Sequence, residues 1–431
     1  MRHSIFFGIV AVSFCVGCTN NAPPASPSPP TQTSKVVLKA QPLFAYVPNY
    51  LSNDISAYLV NPNSGALEPI AGSPYKTGAN PPALAADPTG RYLYVVNSGP
   101  NTISAYSIDA ITGGLRPIAG SPYKTGTDPF SVAFGAGGKF VYVTNLNSSN
   151  VSAFKVNAAT GALTPVPGSP FPCGGDPQSI VVDPSGKFAY VQDFSQGSIS
   201  GYVIDSTSGA LIPVAGSPVG SAKYLTRPVI EARGKFAYAV DSNSNNISVY
   251  AINPASGALK PVAGSPFAAG VGATSVAIDP ASKFAYVLDY SNGPGRISAF
   301  TIDSTGGELK PVSGSPFATG KGPGIISIDR GGRFVYVTTG FTAGAGSPGG
   351  IAAYAIDATS GALKPVAGSP FSVPRDPNYI VFDPTDTFAY VVAYNTVSVY
   401  TINQTTGALK PVRGSPFTAG NNSEAIIMTQ R

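Results

Sequence analysis

The chain has 431 residues, 43% of them hydrophobic and only 11% charged, with 49 Gly and 42 Pro. This composition excludes a disordered, highly charged chain and fits a turn-rich all-β protein. A net charge of +5 is mild: it is consistent with an anionic small ligand or none, and far from a nucleic-acid patch.

Residues 1–18 read as a signal segment. Arg2 and His3 form a charged start, and Ile5 to Val16 is an apolar run too short to span a bilayer. It ends at Val16-Gly17-Cys18, small residues followed by Cys, which resembles a bacterial lipoprotein signal with Cys18 as the lipidated mature N-terminus. An ordinary cleaved signal, giving a secreted or periplasmic protein, is the alternative. Thr19 stands where an Asp would resemble an inner-membrane retention signal, so the outer membrane is favoured. Residues 19–40, opening on Asn20 to Thr33 (NNAPPASPSPPTQT), form a Pro/Ser/Ala linker, extended and without a core, suited to tether a folded head.

Residues 41–431 are built on one repeat. Gly-Ser-Pro begins at Gly72, Gly120, Gly168, Gly216, Gly264, Gly314, Gly368 and Gly414, in steps of 48, 48, 48, 48, 50, 54 and 46 residues. An aromatic strand recurs in step with it: Phe44, Tyr92, Phe140, Phe188, Phe236, Phe284, Phe334 and Phe388 each open a FAYV-like run. Both markers count eight, the signature of a repeat architecture, which overrides the two or three domains that length alone suggests. Within Asp176 to Pro218 four strands are predicted: Ser179 to Val182, Phe188 to Gln192, Ile199 to Ile204 and Leu211 to Ala215. Asp183-Pro184-Ser185-Gly186 and Ser208-Gly209 supply the turns, and Gly216-Ser217-Pro218 closes the fourth strand. Pro213 and its counterparts place that strand at an edge. Four antiparallel strands with an outer edge describe a propeller blade. The fold expected is an all-β β-propeller of eight four-stranded blades, with seven as the alternative. The tail Gly420 to Thr429 aligns with Gly78 to Asp87, so Glu424 to Met428 is predicted to pair with Phe44 to Val47 and close the ring. Lys35 to Leu38 competes for that slot.

Little of the usual catalytic apparatus is present. The single histidine is His3, inside the signal, which removes Ser-His-Asp and Cys-His systems and His metal sites. No Cys pair exists for zinc, and no metal or cofactor is expected. Cys173 falls where other copies carry Thr or Ala and reads as a small loop residue. Gly344 to Gly349 matches G-x-G-x-x-G by letters, but no helix follows it. The series Asp87, Asp183, Asp279, Asp329 and Asp383, with Glu231, repeats at the fold's own period and reads as turn capping. The series Asn49, Asn97, Asn145, Asp193, Asp241 and Asp289 lies at the opposite end of the blades, bonding its own loops.

The informative residues break the repeat. The entry into each innermost strand lies on one rim of the central channel. Tyr224 and Arg227 stand out there, with Gln178, Arg375, Asn378, Tyr379 and Glu424; Arg296 and Lys321 occupy neighbouring loops, and Thr339 to Gly350 is longer than its counterparts. Two readings are open: a pocket lining, or divergence on solvated loops.

The unit P-x-x-I-x-x-D-P-x-G-K-F-x-Y-V … I-S-x-Y-x-I-D-x-x-x-G-A-L resembles the lactonase-type β-propeller family over residues 44–431. That family includes bacterial 6-phosphogluconolactonases and fungal carboxymuconate lactonizing enzymes, usually seven-bladed, with YVTN-like repeats. The resemblance implies a propeller and hydrolysis of a sugar lactone. The His, Arg and Glu proposed for the family's channel have no His counterpart here, so no catalytic residue carries over. Two functions follow as expectations. One is an envelope lactonase-like hydrolase in which Arg227 and Arg375 bind the anionic or carbonyl end and Glu424 or an Asp positions water. The other is a non-catalytic propeller binding a carbohydrate, an envelope component or a protein. Either would be a monomer touching the membrane through its lipid alone.

Overall fold

Turn chemistry and aromatic strands build each repeat. The Asp of the Asp-Pro turn caps it: Asp183 Oδ1 accepts from the Phe188 amide at 2.7 Å, and Asp183 Oδ2 accepts from the Ser185 amide at 3.0 Å. Asp87, Asp279 and Asp383 do likewise; Asp329 Oδ1 accepts from the Phe334 amide while its Oδ2 accepts from Arg333 Nε, and Glu231 reaches the Arg233 and Lys235 amides with its longer side chain. The second strand is buried on both faces, as in Phe188–Asp193, because each sheet packs between two others.

The computed structural model describes residues 41–220, 224–290, 294–340, 349–374 and 376–430. Cys18, the linker, Lys35 to Leu38, Arg375 and most of the long loop after Thr339, with the G-x-G-x-x-G match, lie outside the described residues. The strands form eight separate sheets, one per repeat. In the repeat around Asp176 they are Pro177–Val182, Phe188–Asp193, Ser198–Ile204 and Leu211–Pro213, within two residues of the sequence reading. The fourth strand differs in kind. Gly-Ser-Pro does not end the edge but turns a corner in it. In the first repeat, Leu67–Pro69 pairs with Asp54–Val60, the corner follows, and Tyr75–Lys76 resumes pairing with the same strand. The corner serine fills the gap: Ser73 Oγ accepts from the Ala57 amide at 2.9 Å. Seven blades resume in this way, while the fourth keeps only an Ile199–Val219 bridge.

Eight clusters of buried apolar residues each join two consecutive blades, including the last to the first. The ring is therefore closed and eight-bladed. Glycine at the third-to-fourth-strand turn is required at these junctions. Gly65 has φ +72, and a Cβ there would collide with the Phe388 ring of the last blade. Above it, Tyr390 Oη donates to the Gly65 carbonyl at 3.1 Å.

The C-terminus supplies the innermost strand of the first blade, as the tail alignment predicts, but three residues later. Ile427–Gln430 pairs antiparallel with Leu43 to Tyr46. Asn49 meets Ser423 in an isolated bridge, so the register slips by one residue between the two contacts. The same slip occurs in the innermost strands Pro129–Gly135, Pro177–Val182, Ala273–Ile278 and Pro377–Phe382. It leaves Glu424 out of the ladder.

Candidate site at the channel mouth

The slip is a β-bulge, a device that re-aims side chains and recurs beside active sites. In the fourth and eighth blades it expels Gln178 and Asn378, both half-buried at the mouth of the ring. Tyr379, next to Asn378, is 5% exposed and packs with Val47, Tyr390 and Ile426 at the junction that closes the ring. Asn378 Nδ2 donates to the Ser423 carbonyl at 3.5 Å, which brings this strand beside Glu424.

Glu424 is a buried carboxyl, 6% exposed. Its amide donates to the Pro48 carbonyl at 3.4 Å, and its Oε1 accepts from Asn422 Nδ2 at 2.5 Å. Burial pushes its pKa up to about 7, against the lowering effect of Asn422. A carboxyl in this range exchanges protons at neutral pH.

The fifth blade departs most from the repeat. Its innermost strand is reduced to Val229–Ile230, with a separate Leu225–Asp241 bridge, and the bulge position between them carries Thr226 and Arg227. Arg227 is half-buried, and no ion pair to it occurs among the described residues. Burial lowers its pKa, and the nearby Tyr379 acts in the opposite sense; burial raises the Tyr379 hydroxyl, which Arg227 in turn lowers. Each side chain therefore lies within the electrostatic reach of the other, although their blades are not neighbours. Gln192 holds this entry in place. It is buried at 2%, its Oε1 accepts from Ser179 Oγ at 3.0 Å, and its Nε2 donates to the Leu225 carbonyl at 2.5 Å. The sequence reading missed Gln192; its signal was an amide in a strand position that other blades fill with Val, Leu, Thr or Pro.

The remaining candidates scatter. Tyr224 lies on the rim, 48% exposed. Arg296 is exposed on the third strand of the sixth blade, opposite Asp289, and Lys321 is exposed at the end of Phe317–Lys321; neither belongs to an innermost strand. Cys173 is half-buried, its thiol pushed up to about 12 by burial and by Asp193, so it is no thiolate at neutral pH. The Asn and Asp series bonds its own loops: Asn49 Nδ2 donates to Asp54 Oδ1 at 2.8 Å, and Asp241 Oδ1 accepts from the Asn243 amide at 2.9 Å. Among the described residues no group of His, Cys, Asp or Glu is placed to hold a metal ion.

Known structures with this fold include a putative 6-phosphogluconolactonase from Bacteroides fragilis. It is 20% identical, with a TM-score of 0.59 over 92% of this chain and 100% of that one. A second, from Bacteroides uniformis, is 18% identical, with a TM-score of 0.59 over 90% of this chain and 100% of that one. The periplasmic gluconolactonase PpgL of Pseudomonas aeruginosa is also 18% identical, with a TM-score of 0.58 over 90% of this chain and 99% of that one. A search of curated proteins gives no match. The family described as "Lactonase, 7-bladed beta-propeller" matches residues 35–176, 175–273 and 263–344. The chain thus belongs to the lactonase β-propeller family, with eight blades where that description counts seven.

Proposed function

We propose that the protein is a lipid-anchored envelope lactonase that opens a sugar lactone at the channel mouth. The observation that carries this reading is Glu424, a buried carboxyl titrating at about 7 on the rim that also presents Arg227 and Tyr379. In the reaction, ionised Glu424 takes a proton from water as the water oxygen bonds to the lactone carbonyl carbon. The Arg227 guanidinium and the Tyr379 hydroxyl donate to the carbonyl oxygen as it becomes an oxyanion. The ring C–O bond then breaks, the alkoxide recovers the proton from Glu424, and a hydroxy acid leaves. Similarity to the periplasmic gluconolactonase of Pseudomonas aeruginosa supports an aldonolactone as substrate, and Cys18 at the end of the signal supports the anchor.

The test is hydrolysis of a lactone panel including gluconolactone, across pH. The expected kcat/KM rises with pH around a midpoint near 7, because the base must be ionised, and Glu424→Gln abolishes it. Stability moves the opposite way. The folded pKa lies above the ordinary carboxylate value, so the contribution of protonated Glu424 is full below about 4.5 and lost as pH rises through about 7. Wild type should therefore lose melting temperature relative to Glu424→Gln between pH 5 and 8. The lack of histidine beyond His3 favours a second reading, a non-catalytic propeller binding a carbohydrate, an envelope component or a protein. Lactone hydrolysis no faster than the uncatalysed rate in both wild type and Glu424→Gln would establish that reading in place of the first.

A further inference from the structure

The chain enters seven of its innermost strands through a residue with left-handed backbone. Asn80 (φ 53), Asp128 (φ 57), Asp176 (φ 59), Gly272 (φ 69), Gly322 (φ 59) and Asn422 (φ 56) hold this position, all types that tolerate the conformation. The fifth blade puts Tyr224 there, at φ 66. A bulky residue in this region is strained, and such strain persists where the surroundings over-determine it. They do so here. The Tyr224 amide donates to the Phe194 carbonyl of the fourth blade at 3.2 Å, and its own carbonyl accepts from Ser242 Oγ at 2.9 Å.

The strain brings no burial in return, since the ring is 48% exposed. The ring contacts that of Phe194, with centroids 5.3 Å apart and planes tilted by 60°. The loops that hold it carry neutral hydroxyls and amides, Ser195 and Gln196 on one side and Ser242 and Asn243 on the other. Arg227 follows three residues later. A half-exposed aromatic ring held in a fixed backbone offers a surface on which the C–H face of a pyranose can stack; Tyr adds a polar tip to that apolar ring.

We infer that Tyr224, buttressed by Phe194, is the stacking platform for a pyranose ring at the channel mouth. The choice of a sugar rests on the lactonase reading, but turnover is not required. The probe is therefore methyl β-D-glucopyranoside, which has no lactone to open, titrated against the full chain by saturation-transfer NMR and calorimetry. Wild type and Tyr224→Phe should bind it alike. Tyr224→Asn, which installs the residue found at Asn80 and Asn422, should weaken binding about tenfold while raising the melting temperature by about 1–3 °C through relief of strain. Unchanged binding by a folded Tyr224→Asn variant, or no saturable binding by wild type, overturns the platform. Binding that survives in a Glu424→Gln variant without hydrolysis in any form would remove the hydrolase reading and leave the platform standing.

Discussion

Tyrosine hydroxyls tie the blades together one residue at a time. The tyrosine of each second strand is fully buried, and in Tyr190 the hydroxyl donates to the Gly257 carbonyl of the next blade at 2.8 Å. Tyr46, Tyr94, Tyr142, Tyr286, Tyr336 and Tyr390 repeat this contact. Tyr238 does not: its hydroxyl is buried with no partner among the described residues. Removing a buried partner costs about 1–3 kcal/mol, whereas deleting an unsatisfied hydroxyl removes a desolvation penalty. Tyr190→Phe should therefore lower stability by roughly that amount, and Tyr238→Phe should be neutral or stabilising, in matched denaturant titrations. Equal losses would show that the repeated hydroxyl contact does not carry the junction. The tyrosines were legible as strand aromatics, but that one of eight is orphaned depends on spatial register and leaves no mark in the sequence.

At the scale of elements, the closing strand has the largest consequence. Ala425, Ile426 and Ile427 are buried at 2%, 1% and 8%, and Ile426 and Ile427 belong to the two clusters flanking the first blade. Burial of each isoleucine contributes about 1.5–3 kcal/mol. The strand joins two ends of the chain, so its loss opens the ring and unpairs the inner edge of Leu43–Asn49. Deleting residues 421–431 should give an unstable or aggregating protein, read by thermal melting and size-exclusion chromatography. Deleting residues 19–38 should leave melting unchanged, and the reverse result would assign closure to Lys35 to Leu38. The alignment of the tail with Gly78 to Asp87 made this strand legible. Its exact start was not, because the one-residue bulge at Glu424 is a feature of the pairing.

For the whole molecule, ring closure and the proposed tether are separate devices. The folded head is a closed ring whose first-strand entries present the candidate site at one mouth. The proposed anchor requires only Cys18 and a Pro-rich linker, so anchoring and folding are separable. Cys18→Ser should move the protein from the membrane fraction to the soluble fraction of the envelope with its melting temperature unchanged. Unaltered fractionation would refute lipidation at Cys18.

Period, aromatic strands and turn residues determined the blade, the count of eight and the source of the closing strand, because each is a local pattern written once per repeat. Tyr224, Arg227, Gln178, Asn378, Tyr379 and Glu424 were legible only as departures from that pattern. Tertiary structure decided which departures meet. It placed Tyr379 within the electrostatic reach of Arg227, set Asn378 beside Ser423, buried Glu424 enough to raise its pKa to about 7, and left Arg296 on an outer strand. Burial and proximity across a ring depend on residues tens to hundreds of positions apart, and no local pattern encodes them.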